Sequence, residues 1–505
     1  MGKGVQVGAA KKEGSVAVNA AARVAMYALN LLVPVLVGPY VARVLDVGAY
    51  AEYNAALSVM QIFLALASFG IHIYGVRQAS RVRDDLERTS AVFEPLYRFG
   101  VLTALLSWLL FSAFALLFQT ERRGLYLVLG LQVLFNAYAV EWVNEAFESY
   151  PFILYKTAAV RLLYVAGVFL CVRRAEDILP FALVSSLAVF LNHFFGFAYI
   201  RRRVKRRKTR LKELTPLVKP LAVMFLFANL NVFYLILDRL YLSAFSANRA
   251  YVSYYTLPML IMVAVMNVLS SLLFVAVPRL THRLAQGDKA GYENLLSSSS
   301  HAFFLLAIPA CMGLGALGPQ MMLLYGGARY EAAGVTLMLF GLRFAVNAYD
   351  LSLSYQALLP HGMEKEIVRI YLAGGLLNLA FKAALLAFQT FDPVACIATT
   401  AVCDALVVIL EQRTAKKRLG ITPIDSAALR YAAYSLLFYP VCALLRRAFS
   451  LSGSLDGAFF QYLSTSVASC AVLYLAALFF TRDRHFLSLS SRLASRLKSL
   501  PRRAK

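Results

Sequence analysis

Apolar runs of about 20 residues, the length needed to cross a bilayer as a helix, recur from one end of this 505-residue chain to the other. They lie near 16–42, 49–75, 91–118, 124–147, 152–172, 178–200, 217–242, 250–278, 296–324, 332–359, 367–389, 393–411, 428–446 and 457–481. The connections between them are too short to be soluble domains. With 60% hydrophobic and 15% charged residues, a water-soluble fold could not hide its apolar surface. The expected class is an all-α polytopic membrane protein of about 14 transmembrane helices. The first run is long, and Lys3, Lys11 and Lys12 precede it, which predicts an uncleaved anchor rather than a signal peptide. Threaded with the N-terminus inside, the chain puts about 34 Lys and Arg on the cytoplasmic side and about 9 outside.

Against this apolar background, polar residues fall in single-faced stripes. At 3.6 residues per turn Asn19, Arg23, Tyr27, Asn30 and Pro34 share one face of the first helix. Glu141, Asn144, Glu145 and Glu148 share a face of the fourth, and Lys156 and Arg161 lie on the fifth. Asn192 and His193 lie on the sixth, and Asn231, Tyr234, Asp238 and Tyr241 align on the seventh with Arg239 beside them. The tenth carries Arg343, Asn347, Asp350 and Ser354; the eleventh carries Asn378 and Lys382, four apart. A charge at bilayer depth costs about 2.5–3.5 kcal/mol even on insertion scales, so these faces must meet protein or water. Two readings stay open. The charges pair across helices, or they line a hydrated cavity between two bundles.

The net charge of +24 invites a nucleic-acid partner. The skew of the charge to one side argues against it, with the loop Arg201-Arg-Arg-Val-Lys-Arg-Arg-Lys-Thr-Arg-Leu-Lys212 dominating the count. That loop reads as a topology determinant beside anionic headgroups, and secondarily as a ligand-recruiting patch. All six cysteines sit in apolar segments without metal-ligand spacing and read as packing residues. Gly-Leu-Gly-Ala-Leu-Gly-Pro (313–319) follows no strand, which favours close helix packing over phosphate binding. No hydrolytic or metal constellation emerges, so neither catalytic residues nor a metal site is expected. Phe486, Leu489, Leu493, Leu497 and Leu500 oppose Arg492, Arg496 and Lys498, an interfacial helix on the cytoplasmic leaflet.

An internal repeat sets the expected organisation. Ala49-Tyr-Ala-Glu-Tyr53 opens the second helix and Ala250-Tyr-Val-Ser-Tyr254 the eighth; Arg77 and Arg81 close the one, Arg279 and Arg283 the other. An even number of helices between copies preserves orientation, giving two pseudo-symmetric six-helix bundles. The expected divisions are a tail 1–15, a first bundle 16–200, a basic loop 201–216, a second bundle 217–411 and a loop 412–427. Two further helices follow in 428–481, then a basic amphipathic tail 482–505.

The same residues resemble a known family. Pro39-Tyr40, Ala42-Arg-Val-Leu45, Gly48-Ala-Tyr-Ala-Glu-Tyr53, Phe69-Gly-Ile and Gly75-Val-Arg77, with Asn19 and Pro34, are similar to the opening of the Wzx-type polysaccharide-repeat flippases. These belong to the multidrug/oligosaccharidyl-lipid/polysaccharide (MOP) exporter superfamily. Glu141-Trp-Val-Asn-Glu-Ala-Phe147 with Lys156, Leu237-Asp-Arg239, Val252-Ser-Tyr-Tyr255, Val277-Pro-Arg-Leu280, Ile308-Pro309 with Gly313, and Gln356-Ala-Leu-Leu-Pro360 extend the resemblance to about residue 390. Asp46 departs from the family's usual Gly, and Glu141 stands where an Asp is common.

The resemblance implies a MATE-like, V-shaped transporter in the bacterial cytoplasmic membrane with both termini inside, not an enzyme. It would move an undecaprenyl-diphosphate-linked oligosaccharide repeat unit across the membrane by alternating access, for O-antigen or other surface polysaccharide biosynthesis. A multidrug or small-molecule antiporter of the same superfamily is the alternative, and a membrane glycan polymerase or acyltransferase a more distant one. The cavity residues would be Arg23, Asn30, Asn231, Arg343, Asn347, Asn378 and Lys382, with Arg23, Arg343 and Lys382 meeting the diphosphate. Glu141, Asp238, Arg239 and Asp350 would serve coupling or gating, and Arg77 and Arg279 a cytoplasmic gate. No cofactor is implied beyond a proton or sodium gradient. The partners would be the lipid-linked glycan, membrane lipids and the polymerase or glycosyltransferases of the same pathway, with no nucleic acid.

Overall fold

The computed structural model describes residues 29, 33–34, 36–82, 85–119, 122–205, 207, 209–246, 248–449 and 454–488; the side chains of 211, 226–236 and 278 lie outside that description. Among the described residues there is helix and no strand. The elements are α1 (36–44), α2 (Val47–Ser68), α3 (Ile71–Ser80), α4 (Leu86–Phe118), α5 (Arg123–Phe135), α6 (Glu141–Ala146), α7 (Tyr150–Cys171), α8 (Ile178–Arg201) and α9 (Thr215–Phe245). There follow α10 (Tyr251–Ala285), α11 (Lys289–Ala316), α12 (Gly318–Gly326), α13 (Gly334–Ser352), α14 (Glu364–Ala387), α15 (Pro393–Leu419), α16 (Ser426–Leu436), α17 (Phe438–Ala448) and α18 (Gly457–Phe480).

Twelve stretches among the described residues are long and apolar enough to cross a membrane, and they fall on the second to sixth and eighth to fourteenth expected segments. The first segment lies largely outside the described residues, and the seventh is covered by the 31-residue α9. The chain is a multi-pass membrane protein. Large apolar side chains such as Leu117, Phe118, Leu162, Leu376, Phe388 and Phe480 stand exposed on its outer faces, where lipid replaces water.

Several spans are not continuous helices, which their hydropathy alone suggested. The second breaks at Phe69 and Gly70, both left-handed (φ 36° and 72°), separating α2 from α3. Gly70 must be glycine twice over, since a Cβ there would stand 2.6 Å from Leu221 O and from Phe225 N of α9. The fourth breaks at 136–140 between α5 and α6, and the tenth passes into a π-turn at Leu353–Leu358. Acidic side chains start many of the helices. Asp46 accepts from Gly48 N and Ala49 N at 2.8 and 3.0 Å, so its departure from the family pattern supplies an N-cap. Asp85, Asp288, Asp392, Asp425 and Asp456 do the same for α4, α11, α15, α16 and α18.

The residues cluster into two compact units, 1–243 and 244–505, so the boundary falls at the end of α9, one helix later than the repeat placed it. α9 packs on the first unit: Phe225 stacks on Phe69 with ring centroids 5.3 Å apart. Trp142 of α6, 2% exposed, fills the apolar core of this unit beside Phe93, Ile71 and Ile200. In the second unit α11 and α13 touch through small residues, Gly315 against Gly341, as the glycine-rich stretch predicted. The last helices join this unit, Tyr349 donating to Ala428 O and Tyr474 to Leu305 O. The two repeat copies look alike locally. Each opens a helix with a tyrosine pair, Tyr50–Tyr53 at 6.2 Å and Tyr251–Tyr254 at 6.5 Å.

Candidate functional site

The first unit holds a half-open chamber of about 390 Å³ with a mixed polar and apolar wall. Its wall draws Tyr53 from α2, Gln132 from α5, Glu141 and Glu145 from α6, Thr157, Arg161 and Tyr164 from α7, and Ser185, Asn192 and His193 from α8. Along α7 it runs from Ile153 to Tyr164, about 16 Å at 1.5 Å per residue, so it is tall and narrow. At the Glu141 end stands an ion pair, the buried Lys156 Nζ donating to Oε2 of the partly exposed Glu141 at 2.6 Å. Gly196 makes room for that pair, because a Cβ would stand 2.9 Å from Glu141 Oε2. Asn144, fully buried nearby, has both side-chain polar atoms without a hydrogen-bond partner among the described residues.

Two further polar groups of this unit were marked by sequence. Asp238 and Arg239 of α9 are buried, and Arg239 Nη2 donates to Gln61 Oε1 at 2.7 Å. Arg77 is exposed in the last turn of α3. Glu52 of the repeat motif pairs with Arg122, tying the start of α5 to α2.

In the second unit the stripe on α13 meets α14 and α15. Arg343, 6% exposed, donates from Nε to Asp404 Oδ2 at 2.7 Å. Asp350 accepts from Tyr371 OH at 2.7 Å and from Asn347 Nδ2 at 3.3 Å, and Glu411 stands beside it. Ser354, one turn on from Asp350, donates to Glu411 Oε1 at 2.6 Å. Gln356 at the π-turn is fully buried and links α10, α11 and α13, accepting from Ser300 and donating to Leu273 O. Lys382 is 1% exposed; its ammonium donates to Cys396 O, Thr399 Oγ1 and Thr400 Oγ1 at 2.6, 2.9 and 3.1 Å. Thr400 in turn reaches Asn378 Oδ1 at 3.3 Å. Arg279 is exposed on α10.

The structure therefore pairs Arg343 with Asp404, joins Asn347 to Asp350 and links Asn378 to Lys382 through Thr400. Arg23 and Asn30 lie outside the described residues, as does the side chain of Asn231. Sequence reasoning passed over Glu411, Tyr371, Tyr53 and Gln132. Glu411 follows Asp404 by seven residues, two turns of one face, which is the signal that could have found it.

Residues 16–283, more than half of the chain, match the family described as polysaccharide biosynthesis protein. A Shigella dysenteriae protein provisionally named an O-antigen transporter is 22% identical over 367 residues, covering 70% of this chain and 89% of that one. Among solved structures, the lipid II flippase MurJ in an inward closed conformation superposes with a TM-score of 0.70 at 15% identity, over 92% of this chain and 99% of the other. An inward-facing multidrug resistance MATE family transporter of the MOP superfamily gives 0.57 at 12%, over 78% and 94%. At such identities the structures speak for the fold. These relatives are transporters rather than enzymes, and together they meet the resemblance to a Wzx-type flippase of the MOP superfamily carried by the opening motifs. With that match spanning its first half, the chain belongs to the polysaccharide biosynthesis protein family.

Proposed function

We propose that this chain flips an undecaprenyl-diphosphate-linked oligosaccharide repeat unit across the bacterial cytoplasmic membrane by alternating access, with both termini cytoplasmic. The observation that supports it is the family match over 16–283, which contains the opening motifs and the Glu141–Lys156 segment. In this reading Arg343 exchanges Asp404 for an anionic group of the substrate, because a diphosphate offers the same bidentate oxygen geometry as a carboxylate. Lys382 would act likewise only after leaving its oxygen seat on α15. Asp350, with Glu411 at its side and Tyr371 donating to it, is the group we assign to carry a coupling proton, Glu141 being the corresponding carboxyl of the first unit.

The test is genetic. In cells lacking their own flippase, the parent chain restores surface glycan, whereas Arg23→Ala and Arg343→Ala each insert normally and leave the lipid-linked repeat unit on the cytoplasmic leaflet. Parental glycan levels in both variants would remove the assignment. Drug efflux without any glycan defect on deletion would point to an antiporter instead.

A further inference from the structure

The basic loop after α8 is a built object. Glu94 of α4, 2% exposed, accepts from Arg201 Nη1 at 2.5 Å and from the backbone N of Arg207 at 3.4 Å. Arg98, one turn further along α4, donates to Thr209 O at 2.7 Å and Arg207 O at 3.4 Å. Ser90 accepts from the backbone N of Lys205 at 3.1 Å. Val204 and Thr209 turn inward, while Arg202, Arg203, Lys205, Arg207, Arg210 and Lys212 are exposed. Arg203 is further steadied over the Tyr199 ring at 4.3 Å, and the carboxylate of Glu213 lies 3.6 Å from Arg207.

Fixing topology needs no such frame. The positive-inside rule counts charges whatever their arrangement, and ordering a loop costs conformational entropy residue by residue. Three α4 side chains spent on the loop's backbone hold the described cations in a set geometry at a membrane surface. We infer that Arg202, Arg203, Lys205, Arg207, Arg210 and Lys212, on a loop held by Glu94, Arg98 and Ser90, form a binding surface for lipid phosphate groups. Two sources carry that chemistry, bulk anionic phospholipid and the polyprenyl phosphate moiety of a lipid-linked glycan. Only the second rests on the flippase reading.

Native mass spectrometry of the full-length protein in detergent separates the arms, with phosphatidylglycerol against diacylglycerol and undecaprenyl phosphate against undecaprenol. The parent retains the phosphate-bearing member of at least one pair and not its phosphate-free partner. Retention of undecaprenyl phosphate alone assigns the surface to substrate; retention of both phosphate lipids assigns it to headgroups in general. Arg203→Ala with Lys205→Ala weakens retention about 30-fold, at the energy one basic residue contributes near an anionic surface. Glu94→Leu is the decisive variant. It removes the acceptor of both loop bonds and adds one net positive charge, so an effect of charge alone tightens binding, whereas loss of the loop's anchor weakens it. Ser90→Ala changes no charge and weakens retention about threefold, the value of one hydrogen bond, which keeps the question answerable should Glu94→Leu not fold. Glu94→Leu folded and binding as tightly as the parent or tighter, Ser90→Ala folded and indistinguishable from it, or equal retention of phosphate-bearing and phosphate-free lipids, overturns the proposal.

Discussion

Lys156→Met isolates Glu141 in the interior of the first unit, and its cost follows from the geometry. At 2.6 Å the pair attracts by about 6 kcal/mol at an effective dielectric near 20. Desolvating each ion takes back several kcal/mol, so the intact pair is worth little net. Removing one partner is different, because the charge left behind keeps its desolvation cost and loses the attraction. Because Glu141 keeps 21% of its side chain exposed to the chamber, we expect Lys156→Met to cost about 1–3 kcal/mol, less than for a fully buried pair. The double variant Lys156→Met with Glu141→Leu restores most of this, since neither side chain is then a buried ion. Thermal unfolding in detergent reads the order: parent close to double, single well below both. A single variant that melts with the parent, or a double whose losses simply add, refutes the argument. Glycan export read on the same double separates two roles. Recovered export makes the pair a brace; a folded protein without export makes Glu141 part of transport.

Gly70→Ala forces a Cβ against the backbone of α9 and into a left-handed conformation that itself costs about 1–2 kcal/mol. The folded fraction after detergent extraction should fall sharply, while Gly287→Ala, also left-handed but with open space around it, should lose only the conformational share. Asp350→Asn should leave the protein folded, since an amide oxygen still accepts from Tyr371, yet abolish gradient-driven export; unchanged export in vesicles with an imposed pH gradient removes Asp350 from coupling. The root of the C-terminal tail should loosen on acidification. Burial and the neighbouring His301 hold His485 below the ordinary imidazole range, and its ring stacks on His301 at 3.8 Å. Burial opposes ionisation of Asp425, but the Ala428 N–H and His301 outweigh it and hold its carboxyl below the usual range. Both shifts are downward, so the stability they carry is present above the unfolded values. It is lost as pH falls, from about 6.5 for His485 and below about 4 for Asp425. Limited proteolysis of the tail at pH 7.5 and 5 checks this, and His485→Phe should abolish the upper step.

The spans were legible because lipid imposes a crude rule, long runs without charge, and composition alone satisfies or breaks it. Their interruptions were not. Phe69-Gly70 carries a glycine, but nothing in hydropathy says that two residues turn left-handed there. Leu353–Leu358 contains good helix formers, and its π-turn is made by bonds that Gln356 and Ser354 draw from α10, α11 and α15. Asp46 looked like a departure until the backbone showed the amides it caps. Glu411 was lost for a similar reason. Hydropathy ends the twelfth span at 411, whereas α15 runs to Leu419 and buries that carboxyl completely. Asp46 apart, composition is local and the decisive partner lies on another helix.

The stripes were legible, but their meaning splits along the same line. Periodicity located costly groups on single faces without telling a paired face from a wet one. The first unit shows both, and the second shows pairing. Lys156–Glu141 and Arg343–Asp404 are paired across helices, while Gln132, Asn192 and His193 of the first unit face a cavity. A buried pair contributes little to stability once desolvation is counted, so stability does not explain why these positions are ionic. An exchangeable pair does something an apolar one cannot. It holds a cation in place in the absence of substrate and surrenders it to a stronger anion. On that argument Arg343→Met with Asp404→Leu should melt no lower than the parent and yet fail to export glycan. Full export by the double variant would reduce the pair to packing.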